Sequence, residues 1–149
     1  MNRRRQETPA SLRTAGVDAH HLGVLDEETC WRLLGQASIG RLGFSAGGLP
    51  VIFPLNCFLD HRTVVFRSED GAKVRAAEQH AVACLEIDEF DSFAHSGWSV
   101  LATGRLEIAS PDRLAHLAAL PLTPWAISGA ATFVELAVEL LSGRVVQRG

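Results

Sequence analysis

The sequence predicts a mainly β domain: a largely antiparallel sheet closed into a small barrel, with helices added at its edges. Three observations carry that prediction. Apolar and polar residues alternate at period two from Trp98 to Ile108 and again from Thr132 to Leu140. The strand-like runs are joined mainly by hairpin-length turns, such as Ala46-Gly47-Gly48 and Asp60-His61-Arg62. Six such runs in a chain of 149 residues would leave open sheet edges, and closure removes them.

Each element has a local reason. Residues 1–22 read as a disordered tail, with arginines at 3, 4, 5 and 13 but no following apolar stretch, so no signal peptide. Residues 23–149 read as one domain. Asp26 is a plausible N-cap of a first helix, with Glu27 and Glu28 favouring its positive end. Leu25 and Cys30 suit a staple across that cap, and Cys30, Leu33, Leu34 and Ala37 make one apolar face. Ser38 to Phe44 is a short strand whose Gly40 and Gly43 permit close backbone approach. Pro50 to Leu59 is almost wholly apolar, with Asn56 its one polar residue. Pro54 cannot donate to a ladder, so one side of that strand is an edge, a bulge or a ligand surface.

Thr63 to Ser68 is the third strand, and a short helix follows from about Gly71 to Gln79. Ala81 to Ile87 is the fourth, ending in the acidic loop Asp88-Glu89-Phe90-Asp91. Along Trp98 to Ile108, Trp98, Val100, Ala102, Leu106 and Ile108 face one way; Ser99, Thr103, Arg105 and Glu107 face the other. Ser110 reads as the N-cap of a helix with Pro111 in its first position, and Pro121 ends it. A loop carrying Trp125 leads to the last strand. There Val134, Leu136, Val138 and Leu140 share one face, with Glu135 and Glu139 opposite.

Composition narrows the function classes. Four arginines against one glutamate make the first thirteen residues +3; the whole chain is −3, so the remainder is −6. An acidic domain argues against a nucleic-acid surface. No apolar run nears the roughly 20 residues of a membrane span. Cys30, Cys57 and Cys84 are scattered and odd in number, without zinc spacing, and read as small buried hydrophobes of a reduced cytoplasm. The neighbouring His20 and His21 lack a third ligand and read as solvent-facing. Nucleophile elbow, phosphate loop, dinucleotide fingerprint and zinc-protease motif are all missing, and the chain has no tyrosine.

Thirteen arginines stand beside a single lysine, Lys73. It follows a strand, the pair Arg67-Ser68, and the turn Glu69-Asp70-Gly71-Ala72. A hydroxyl, a turn glycine, new backbone N–H groups and a compact ammonium suit a phosphate. A surface lysine opening a helix fits the same residues.

The ordered set "GRLGF", "P-x-N" on the second strand, "F-R-S-x-x-G-x-K" and "GWSVLATGRLEI" resembles the pyridoxamine 5′-phosphate oxidase-like flavin-binding proteins, over roughly Leu25 to Val146. The resemblance implies a six-stranded split barrel and a homodimer with a flavin in each interface groove. It implies that the FMN phosphate meets Arg67, Ser68 and Lys73, at the end of a strand containing Phe66. The isoalloxazine ring would lie along Phe53, Pro54, Leu55 and Asn56, with Trp98 and Ser99 contributing from another strand, of the same subunit or across the dimer.

Competing readings remain for individual residues. Asn56 also suits a backbone-satisfying role, Trp98 a core anchor, Ser68 a helix cap and Arg67 a surface position. Glu69 and Asp70 would repel a phosphate unless they turn away from it. The chain departs from the oxidases proper in having only Arg144 and Arg148 after Arg113, so the vitamin B6 oxidase activity does not carry over. Cys57 stands where relatives often have an aromatic. The expected cofactor is FMN, with the deazaflavin F420 as alternative. The expected role is a flavin-dependent oxidoreductase on a small substrate, a flavin carrier or sensor, or a cofactor-free interaction module.

Overall fold

The computed structural model describes residues 12–19, 22–69, 71–122 and 129–146. Its strands are β1 (Thr14–Val17), β2 (Gly23–Leu25), β3 (Ile39–Ala46), β4 (Leu49–Asn56), β5 (Phe58–Asp60), β6 (Thr63–Ser68), β7 (Val82–Asp91), β8 (Ser96–Ile108) and β9 (Thr132–Val146). The helices are α1 (Glu27–Gln36), α2 (Ala72–Glu78) and α3 (Leu114–Ala118), the last preceded by a 3-10 turn, Pro111–Arg113. All strand pairs are antiparallel.

Six strands make the barrel, in the order β4-β3-β7-β8-β9-β6. Its two end strands, β4 and β6, approach without pairing, which leaves the split. β4 therefore has one ladder partner only, and that edge position tolerates Pro54 opposite Arg41. The interior is filled from all sides: Leu42, Phe66, Leu85, Val100, Leu106, Val134 and Leu136 have no exposed surface. α1 covers one end with Cys30, Leu33 and Leu34 buried, and its cap is as expected, Asp26 Oδ1 accepting from Thr29 N at 2.8 Å.

Several expectations are corrected. Part of the supposed tail is ordered: β1 pairs with β2, β2 continues onto β9, and Leu12 is buried. Arg3 to Arg5, His20 and His21 lie outside the described residues, as does Trp125. The strand expected from Pro50 to Leu59 is broken at buried Cys57, whose N–H donates to Ser38 O at 3.1 Å. The chain there leaves β3 and crosses the split to pair with β6. The acidic stretch after Ile87 is strand rather than loop, because Asp91 caps a tight tip by accepting from Phe93 N and Ala94 N. Ser110 makes no cap hydrogen bond; its hydroxyl serves the Asp112 carboxylate.

The last strand runs to Val146 and changes phase midway. Gly104 pairs with Val138 while Thr103 pairs with Leu140, so Glu139 is bulged. Leu140 therefore points outward, 69% exposed, and Leu141 packs on the core instead. Gly104 is required at the bulge: a Cβ there would stand 1.7 Å from Ala137 O.

Candidate functional site

The split collects several of the residues singled out in the sequence. Phe53 comes from β4, Ser68 ends β6, and Lys73 lies in the first turn of α2. Two-residue hairpin geometry explains the β4 side. Gly47 and Gly48, both at positive φ, fix Ala46 opposite Leu49 and hence Phe44 opposite Val51. Phe53 is then the diagonal neighbour of Phe44, and their rings stack with centroids 5.9 Å apart. The Lys73 Nζ sits over the Phe53 ring, 4.3 Å from its centroid. Among the described residues no carboxylate pairs with Lys73. Burial lowers its pKa from the ordinary lysine value.

Ser68 is buried, and its hydroxyl donates to Glu69 O at 2.9 Å. Its lone pairs remain for a donor, but donation to a ligand requires that bond to open. Glu69 Oε1 accepts from Gly129 N at 3.2 Å; Asp70 lies outside the described residues.

Other expected residues are placed elsewhere. The Phe66 side chain belongs wholly to the core, so only its main chain is left for a ligand. Arg67 faces away from Ser68, on the opposite side of β6, its guanidinium carbon 5.2 Å from the centroid of Phe133, its ladder partner. Its Nε is buried without a hydrogen-bond partner among the described residues. Leu55 packs on the core, Pro54 is exposed, and Asn56 Nδ2 makes a long 3.4 Å donation to Ser38 O, the backbone role noted above. Trp98 is a core residue, 7% exposed, its Nε1 without a hydrogen-bond partner among the described residues. Ser99 lies on the outer face of β8, and β7 and β3 separate that strand from β4 in the sheet.

The sequence reading missed two features. The Phe44–Phe53 stack was recoverable from the Gly47-Gly48 turn, which sets the register. A charged cluster under α3 was not, because its members are far apart in the chain. Arg113 Nε donates to Glu135 Oε1 at 2.7 Å and its Nη2 to Asp60 Oδ2 at 2.9 Å. His116 Nε2 stands 3.0 Å from the same Asp60 oxygen, and His61 Nδ1 stands 3.2 Å from the other. Burial alone would raise the Asp60 pKa, but the bonds from Arg113, His116 and His61 outweigh it and hold it below the ordinary value.

The thiols divide. Cys30 and Cys57 are buried and burial raises each to about 11, whereas Cys84 is half-buried on the outer sheet face. Among the described residues no group of histidines, cysteines and carboxylates is arranged to hold a metal ion, and no helix is long and apolar enough to cross a membrane.

A six-stranded split barrel with a cationic and aromatic corner at the split is the class of protein this geometry defines. The chain belongs to the pyridoxamine 5′-phosphate oxidase family, whose model matches residues 26–145. It is 31% identical to an uncharacterized protein of Mycobacterium tuberculosis, Rv0080, over 142 residues, covering 91% of this chain and 93% of that one. Among solved structures it resembles the FAD binding protein of Mycobacterium smegmatis, with TM-score 0.71 and 27% identity, covering 85% of this chain and 99% of that one. It also resembles a Corynebacterium glutamicum protein provisionally designated a pyridoxamine 5′-phosphate oxidase, with TM-score 0.74, 25% identity and the same two coverages.

Proposed function

We propose that this chain binds a flavin, FMN by preference, at the barrel split, and works as a homodimeric flavin-dependent oxidoreductase on a small substrate. One observation carries the reading: the only lysine of the chain presents an ammonium over the Phe53 ring with no carboxylate partner among the described residues, and it follows buried Ser68 closely in the chain. A phosphate would bring that corner an anion with several acceptor oxygens. The lack of a carboxylate at Lys73 Nζ among the described residues and the hydrogen bond of Glu69 to Gly129 N fit such a group. Arg67 fits less well, because it lies on the other face of β6.

A bound flavin would supply the hydride or electron chemistry. The protein's own part is to hold the phosphate through Lys73 and Ser68, and to offer the exposed Pro54 edge and the β4 main chain to a flat ring. Dimerisation is supported by the outer sheet face, where Ile52 and Leu140 are 70% and 69% exposed and Leu101 is 40% exposed. Ser99, on the outer face of a strand remote from β4, is the residue such a dimer would bring toward the partner's flavin, while the buried Trp98 side chain stays in its own core.

FAD is the second reading of the cofactor, favoured by the Mycobacterium smegmatis structure, which is that of an FAD binding protein. The test is the absorption spectrum of the purified protein, with chromatography of what denaturation releases. A yellow preparation releasing FMN is expected. Released FAD supports the second reading, released F420 replaces the flavin by a deazaflavin, and a colourless protein that binds none of them on titration ends the proposal. Reduction of the loaded protein by NADH or NADPH in stopped flow then separates an enzyme from a carrier.

A further inference from the structure

We propose that Phe53 is a positioning residue for the anion-binding end of the site, holding the Lys73 ammonium in place, and not a platform for the flavin ring. The inference rests on the reading of Lys73 as the phosphate contact. It reassigns Phe53, which the family resemblance places along the isoalloxazine.

The Phe53 ring already has two neighbours. Phe44 stacks on it at 5.9 Å, and the Lys73 Nζ stands over it at 4.3 Å. Phe44 is itself 7% exposed and seated in the core, so the stack cannot swing freely. Lysine is a flexible four-carbon stem that loses rotamer entropy when its ammonium is fixed. In this corner no carboxylate among the described residues fixes it. The negative face of the aromatic ring does so instead, within the roughly 6 Å reach of a cation–π contact.

An aromatic restraint differs from a carboxylate in one useful way. A carboxylate would neutralise the ammonium and compete with an incoming phosphate. The ring attracts the charge without occupying hydrogen-bond donors, so the N–H groups directed away from it stay available to an anion.

The experiment measures FMN and riboflavin affinities by flavin fluorescence for the full chain and for Phe53→Leu and Phe53→Tyr. Phe53→Leu should weaken FMN about three- to tenfold, the range of a partly buried cation–π contact, and riboflavin less than about twofold. Phe53→Tyr, which keeps the ring, should restore FMN binding. Equal losses for both ligands would show that Phe53 faces the ring system and overturn the assignment. So would unchanged FMN affinity, or a gain, which would mean that the aromatic contact competes with the phosphate.

A second measurement does not need a flavin. Since Lys73 is the only lysine, [ε-13C]lysine labelling gives one ε-methylene signal. Its protons should be shifted upfield by the ring in the wild-type chain and in Phe53→Tyr, and return to the free-lysine position in Phe53→Leu. An unshifted wild-type signal overturns the positioning role. If neither flavin binds the wild-type chain, the proposed function fails, and the ring shift alone decides the role of Phe53.

Discussion

Replacing Asp60 by asparagine tests whether the charged cluster fastens α3 to the barrel. Asp60 is 8% exposed and accepts from Arg113 and faces His116 through one oxygen, with His61 at the other. A charge-assisted hydrogen bond contributes roughly 1.5–3 kcal/mol when desolvated. The Arg113 side chain is 35% exposed and that of His116 52%, so water replaces part of each lost bond, and Arg113 keeps Glu135. His61 is almost fully exposed and adds little. The net cost of Asp60→Asn at neutral pH should be about 2–3 kcal/mol.

The sign of the pH dependence follows from the direction of the Asp60 shift. Its folded-state pKa lies below the ordinary 3.8, so its stabilisation is fully present above that value and is lost as pH falls through the folded one. The gap between wild type and Asp60→Asn should narrow as pH falls below about pH 4. Urea unfolding followed by tryptophan fluorescence from neutral pH downward measures it. A gap below about 0.5 kcal/mol at pH 7, or one that persists unchanged into acid, would refute the argument.

Other predictions follow from single contacts. Lys73→Ala should weaken FMN by roughly 1.5–3 kcal/mol, about ten- to 150-fold, and barely alter riboflavin; equal losses in a titration would remove the phosphate role. If Lys73→Arg binds FMN as well as wild type, the lysine is not chosen for its shape. Gly104→Ala should lower stability by at least about 2 kcal/mol in urea, since its methyl must displace the Ala137 carbonyl. Iodoacetamide at pH 8 should modify Cys84 first, and Cys30 and Cys57 only after unfolding, because their thiols stay protonated; peptide mass mapping reads the order.

Local chemistry made most of the barrel legible. Alternation along β8, the Gly47-Gly48 turn and the Asp26 cap are decided by residues within a few positions of each other. The misreadings arose where a distant strand made the decision. Leu140 reads as core until the bulge opposite Gly104 reverses the phase, and Cys57 reads as mid-strand until the split requires a crossing. Within the site, Ser68 and Lys73 were visible because they share one turn. The side taken by Arg67 depended on Phe133, which lies across the ladder on β9, and the Asp60 cluster on residues more than fifty positions away.

The placement of β9 also bears on how the molecule is made. It lies between β8 and β6 and also holds β2, yet it follows all of them in the chain. Until residues 132–146 emerge, β6 has only three-residue β5 beside it, and the sheet stops at β8. A nascent chain therefore presents two apolar strand edges at once, and both are closed by one late segment. Such long-range pairing folds slowly, and during synthesis these edges are the places where a chaperone or a second nascent chain would bind first.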